Sequence, residues 1–178
     1  MTVEHDAIKR GRGKWGQPGV PHKGWECVGE YDTFEEIGED EFQTCGMCES
    51  AQVRFVHIMR NERYKEQLLC GCICAGHMGQ DLAAAEVRDQ AMRAIAGRRD
   101  HFPKRKRWKT SAKGNPFIKV GGYHVMVYRR KDGSYGVGAT PPGASGPIWG
   151  NKRYTMLEHA QKGCFDAIRY LELDDKED

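Results

Sequence analysis

Cys45-Gly46-Met47-Cys48 sets two thiols at a spacing that lets both converge on one ion, with Gly46 relieving the turn between them. Soft thiolates in this arrangement suit zinc, which takes a closed tetrahedron when its role is structural. A second cluster follows, Cys70-Gly71-Cys72-Ile73-Cys74-Ala75-Gly76-His77. A lone CxxC is a weak signal. A CxxC followed by a hairpin and a cysteine-rich helix start points to one structural Zn2+. Cys72 and Cys74 face the same side of a regular strand and are the favoured third and fourth ligands. His77, in C-x-x-H spacing from Cys74, is the rival. Cys70 reads as a small packed hydrophobe and His57 as a hydrogen-bonded core histidine, although both stay open as ligands. Cys27 and Cys164 carry no motif.

The elements that must position these thiols are legible as pattern. Val53–Ile58 is β-branched and aromatic and predicts a strand; a second is expected over residues 67–73 after a polar connection. A helix is expected from about His77 to Ala96, with Asp81 as a candidate N-cap and Gly97 as its stop. Knuckle, hairpin and helix in this order describe a treble-clef-like zinc finger over residues 25–97. Before it, residues 1–24 read as a flexible basic arm rich in Gly and Pro. Residues 98–114 form a basic connector in which Pro103 argues against a long continuous helix. Residues 115–178 predict a three- to four-stranded antiparallel sheet packed with one helix and ending in an acidic tail. Its helix opens on Thr155 with Glu158 as a capping box. Gly163 lies on that helix and allows close packing. The fold class is α+β.

Charge is unevenly spread. The chain of 178 residues carries a net charge of +3, yet residues 98–131 hold twelve Lys or Arg against one acid, Asp100. Nine Asp or Glu fall in residues 26–49 with no Lys or Arg between them. Separated blocks of opposite sign point to a surface for an anionic partner. Arg98, Arg99, Lys104, Arg105, Lys106, Arg107, Trp108 and Lys109 are the candidate nucleic-acid contacts: cations neutralise phosphates and Trp108 stacks on an exposed base. Lys119, Arg129 and Arg130, interleaved with Tyr123, Tyr128 and Tyr135, extend that set.

The segments GVPHKGWECVGEYD, CGMCESAQVRFVHIM, LLCGCICAGHM and RWKTSAKGNPF, with the run from GYHVMVYRRKDGSYG to EHAQKGCFDAI, resemble a family of small bacterial and phage-borne zinc-binding proteins. The resemblance spans nearly the whole chain in the same order. In that family CxxC and GCxCA recur, which implies Cys45, Cys48, Cys72 and Cys74 as the zinc ligands here. Cys70 stands where the family carries an aliphatic residue. The family brings no established activity.

These features predict a cytoplasmic, zinc-binding, non-catalytic nucleic-acid-binding accessory or regulatory protein, with no membrane association. No P-loop, HExxH or deaminase pattern occurs in the sequence. A metal-dependent nuclease, with His57 beside the finger, is a minor alternative. The alternative from another class is a protein-binding adaptor or inhibitor that uses the acidic face of residues 26–49, as a phage-encoded counter-defence factor would.

Overall fold

The computed structural model describes residues 2–174; the end of the acidic tail, 175–178, lies outside them. Contacts divide the chain into two units, residues 1–96 and 97–178.

The first unit opens with a helix, α1 (Val3–Arg10), closed by Gly11 in the left-handed conformation. The flexible arm expected over 1–24 is therefore corrected: a helix and a 3-10 turn (Gly13–Gly16) occupy it, and Trp15 is buried. Gly13 and Gly16 serve close approach rather than freedom. A Cβ on Gly13, at φ +60°, would stand 2.6 Å from the Cys48 carbonyl oxygen, and the next amide, Lys14 N–H, donates to Met47 O at 2.8 Å. The arm lies directly on the CxxC loop.

Then follow β1 (Glu26–Asp32), α2 (Thr33–Glu36), β2 (Gln43–Thr44), β3 (Gln52–Val53), β4 (Phe55–Asn61), β5 (Tyr64–Cys70), α3 (Cys72–Gly79) and α4 (Leu82–His101). The antiparallel sheet has the order β1-β4-β5, and β2 and β3 form a separate two-stranded ribbon that carries the CxxC loop. β1 has no clear sequence signal, because Glu26, Gly29, Glu30 and Asp32 interrupt its apolar residues. Its end is fixed by Arg54, whose Nε and Nη2 donate to the two oxygens of Asp32 at 2.9 and 2.8 Å.

The single helix expected from about His77 to Ala96 is two helices. Gln80, at φ +59°, ends α3, and the Asp81 carboxylate accepts from Ala84 N–H at 2.9 Å, the N-cap role its sequence position suggested. Gly97 does not stop α4, which runs on to His101. Glycine inside a helix costs about 1 kcal/mol, a penalty that the anchored last turn can outweigh.

That anchor belongs to the second unit. Arg99 is 2% exposed and its Nε donates to both oxygens of Asp166 at 2.8 and 3.0 Å. The unit contains β6 (Lys109–Thr110), β7 (Pro116–Val120), β8 (Tyr123–Arg129), β9 (Tyr135–Thr140), β10 (Ile148–Trp149) and α5 (Leu157–Asp174). The sheet is antiparallel and five-stranded in the order β10-β9-β8-β7-β6, larger than the three or four strands expected, because both edges carry a two-residue strand. Alternation buries Ile118, Val125, Val127, Val137 and Ala139 on one face, where they form a core with Ala160, Cys164 and Ile168 of α5. α5 begins at Leu157, two residues beyond Thr155. Gly163 sits under the Tyr154 ring, so no side chain fits there. The turn between β8 and β9, residues 131–134, has Gly133 at φ +85° and Ser134 N–H donating to Asp132 Oδ1 at 3.0 Å.

Removing one partner of a buried ion pair leaves the other charge uncompensated, at a cost of about 3–5 kcal/mol. Arg99→Ala should therefore lower the stability of the second unit by about that amount in denaturant titration. A loss below about 1 kcal/mol would mean that the pair contributes no more than a surface ion pair.

A cysteine-lined candidate metal centre and an open sheet face

Two short loops and one helix start bring the sulfurs together. Cys45 leaves β2, and the loop is held by Cys45 N–H to Ala51 O at 2.8 Å and by Gly46 N–H to Leu69 O at 2.7 Å. Cys48 Sγ accepts from Ala51 N–H at 3.4 Å. Cys74 enters from the first turn of α3. The Sγ atoms of Cys45, Cys48 and Cys74 all lie within 4.8 Å of one another, and all three residues are buried. Cys70, at the end of β5, is also fully buried; its thiol touches Cys45 and lies 3.6 Å from Met78 Sδ.

The electrostatics of this group are those of one shared charge. Hydrogen bonds from Cys48, then Cys70 and Cys74, hold the Cys45 thiol far below its ordinary range. The thiols of Cys74 and Cys70 are pushed well up, first by the bond each makes to Cys45 and also by burial. A single thiolate is thus stabilised by the protons of its neighbours. A dication fits such a donor set, because it replaces those protons and neutralises several thiolates at once. The helix start is fixed by Glu4 of α1, whose carboxylate accepts from Cys74 N–H at 3.0 Å. Burial raises the pKa of that carboxyl above its ordinary value. A Cβ on Gly71 would stand 2.5 Å from the same carboxylate, so this position must stay bare.

Cys72 is not with Cys45 and Cys48, contrary to expectation. The reason is helical phase. A strand over residues 72–74 would put alternate residues on one face, but α3 begins at Cys72. Two helical residues apart is roughly 200° around the axis, whereas four apart share a face. Cys74 therefore turns toward the buried sulfurs and Cys72 turns away, to within 4.8 Å of ligand atoms of His57 and Asp89. The Cys72 thiol is pushed up to about 11, chiefly by burial and then by Asp89. Burial also lowers the pKa of His57. His77 is exposed, its ring edge-on to His5, and takes no part in the thiol cluster.

The candidate nucleic-acid contacts divide as well. Arg98, Lys104, Arg105, Lys106, Arg107 and Lys109 are exposed. Arg99 is withdrawn into its pair with Asp166. Trp108 packs edge-on against Phe102 and donates its indole N–H to Phe102 O at 3.1 Å, so its ring belongs to the core. Tyr123 and Tyr135 likewise lie on the core side of the sheet.

The opposite face of the same sheet presents a different set, of which the sequence pattern singles out only Lys109, Lys119, Tyr128 and Arg130. Cross-strand register places Lys109, Phe117, Met126, Gly138 and Trp149 in one row, Lys119 with His124 in the next, and Tyr128 opposite Gly136. Tyr128 and Trp149 pack edge-to-face at 4.9 Å, and Phe117 and His124 at 5.1 Å. Arg130 lies over Tyr128. Gly136 and Gly138 leave space for the rings, since a Cβ on Gly138 would stand 2.7 Å from the Trp149 indole. Trp149 remains 52% exposed. Strict alternation against the buried positions of β7, β8 and β9 is the signal that finds this face.

Cobalt substitution should give thiolate-to-metal charge-transfer absorption that weakens in Cys45→Ser, Cys48→Ser and Cys74→Ser and persists in Cys27→Ser and Cys164→Ser. Full intensity in Cys48→Ser would remove that residue from the centre. Compared with known proteins, the chain matches no family model, no curated protein and no solved structure.

Proposed function

We propose that this is a zinc-binding, non-catalytic nucleic-acid-binding accessory protein in which the second unit grips unpaired bases and their phosphates. In this reading Zn2+ is held by Cys45, Cys48, Cys70 and Cys74. The ribbon loop, the β4–β5 hairpin and the first turn of α3 supply the ligands in the order of a treble clef. Cys70, at the end of β5, is fully buried and its thiol touches Cys45, which supports Cys70 over Cys72 as the fourth ligand.

The observation that carries the nucleic-acid reading is the open sheet face, with Phe117, His124, Tyr128 and Trp149 among Lys109, Lys119 and Arg130. Aromatic rings on a solvated sheet do not add to the core; flanked by cations, they suit stacking of bases beside neutralised phosphates. The exposed run Lys104–Arg107 leads into β6 of the same sheet and adds sequence-independent attraction. A non-catalytic role is supported by the one half-exposed cysteine beside a histidine: the Cys72 thiol is raised, the opposite of an activated nucleophile. The adaptor alternative draws on Ile37 and Phe42, which are 56% and 51% exposed amid the acidic segment.

Two variants test the platform. Trp149→Ala should weaken binding to single-stranded RNA or DNA by about 1–3 kcal/mol, with the slope of log affinity against log salt nearly unchanged. Replacing Lys104, Arg105, Lys106 and Arg107 with Ala should flatten that slope by roughly 0.7–0.9 for each phosphate no longer neutralised. Wild-type protein that binds no nucleic acid at low salt would overturn the proposal and favour the acidic-face adaptor.

A further inference from the structure

His57 is a fully buried residue of β4, the central strand of the first sheet. Neither of its ring nitrogens has a hydrogen-bond partner among the described residues. Buried polar groups are satisfied in the great majority of cases, and an orphaned one calls for an explanation. Beside it stand Cys72, at the start of α3, and Asp89, from the middle of α4. One ligand atom from each of the three lies within 4.8 Å of the other two. Three separate elements thus deliver an imidazole, a thiol and a carboxylate to one point.

We propose that His57, Cys72 and Asp89 form a second metal site, distinct from the thiol cluster, that holds Zn2+ with one coordination position open to water. Nitrogen, sulfur and oxygen donors are all ordinary zinc ligands, and three protein ligands leave the fourth tetrahedral position to water. Cys72 is only half-buried, which gives solvent access to that position. The carboxylate is already oriented: Arg93 Nε donates to Asp89 Oδ2 at 2.5 Å and the Arg93 guanidinium rests on the Phe55 ring, 4.7 Å from its centroid. Ligands fixed in this way by outer hydrogen bonds are a common feature of metal sites.

A cysteine–histidine–acid relay would use the same residue types, but in a different arrangement. There the nucleophile and the acid engage opposite nitrogens of the ring, which keeps them apart. Here the Cys72 sulfur and the Asp89 oxygen are themselves within 4.8 Å. Convergence on one point is metal geometry, and helical phase explains how one cysteine-rich segment feeds two sites: Cys74 faces one way and Cys72 the other.

The test counts metal and identifies donors on the full-length chain. After saturation with Zn2+ and removal of loosely held ion, elemental analysis should give two zinc ions per wild-type chain and one in Cys72→Ser and in Asp89→Asn. Loading with 113Cd should give two resonances, one in the four-sulfur range and one at the lower shift of a mixed sulfur, nitrogen and oxygen set. Only the second should vanish in Cys72→Ser. Because Cys72 is half-buried, this variant keeps the first resonance as an internal check on folding. A mixed-donor resonance with no four-sulfur signal would support this site and overturn the zinc assignment made for the thiol cluster. A single four-sulfur resonance, or equal zinc content in wild type and Cys72→Ser, overturns the second site.

Discussion

Cys45, Cys48, Cys70 and Cys74 are almost wholly withdrawn from water, and a thiolate in such a place must be neutralised by protons or by a cation. That requirement organises the first unit. Its ribbon has only two residues on each side, and the aliphatic content of its core is small, with Met47, Met59 and Met78 filling space around the sulfurs. Methionine adapts to irregular gaps but specifies shape weakly. Shape must then come from directional contacts, and those contacts converge on the cluster. Gly46 ties the loop to β5, Lys14 ties the arm to the loop, and Glu4 ties α1 to α3. Each is a hydrogen bond made by a residue within or next to the sulfur group.

Helical phase is the second constraint. With α3 beginning at Cys72, Cys74 addresses one side and Cys72 the other, so the change from strand to helix separates two cysteines that a strand would keep together. The start of the helix is itself determined by what surrounds it. Gly71 has to be bare because the Glu4 carboxylate and Val53 occupy the space of a side chain. That carboxylate takes the N–H of Cys74, one of the donors that a helix start leaves unpaired. The N-terminal helix therefore sets the register of both side-chain groups, which are joined through one turn of backbone.

Much of this is legible in the sequence and some is not, for identifiable reasons. The CxxC loop, the β4–β5 hairpin, the Asp81 cap and a C-terminal helix packed on a sheet follow from spacing and capping chemistry. The grouping of Cys45, Cys48 and Cys74 follows from CxxC and the helix start alone. Cys72 is misplaced because a strand puts residues 72 and 74 on one face and a helix puts them on opposite faces. Three residues contain too little pattern to choose between the two. The arm is misread because glycine serves both freedom and close packing, and only the Cys48 carbonyl beside Gly13 distinguishes them. Arg99 and Trp108 are misread because a basic run gives no indication of which member turns inward. That depends on Asp166, 67 residues away from Arg99.

The sheet of the second unit shows how little a hydrophobicity pattern says about a face that is neither core nor ordinary surface. Gly136 and Gly138 weaken β9 as strand residues, since each forgoes a packed side chain and costs backbone entropy. On the core side nothing compensates for them, because Val137 and Ala139 already fill that layer. The compensation lies on the open side, where the vacated space receives the rings of Tyr128 and Trp149. A strand that gives up side chains in order to seat aromatic rings in water does not gain stability from the exposed half of those rings. Trp149 is about half exposed as a residue, while its ring packs edge-to-face on Tyr128. Rigid seating with an exposed face is the preorganised state that a stacking partner requires, because the ring is ordered before the partner arrives. The two glycines are thus better explained by what the face receives than by what the strand needs.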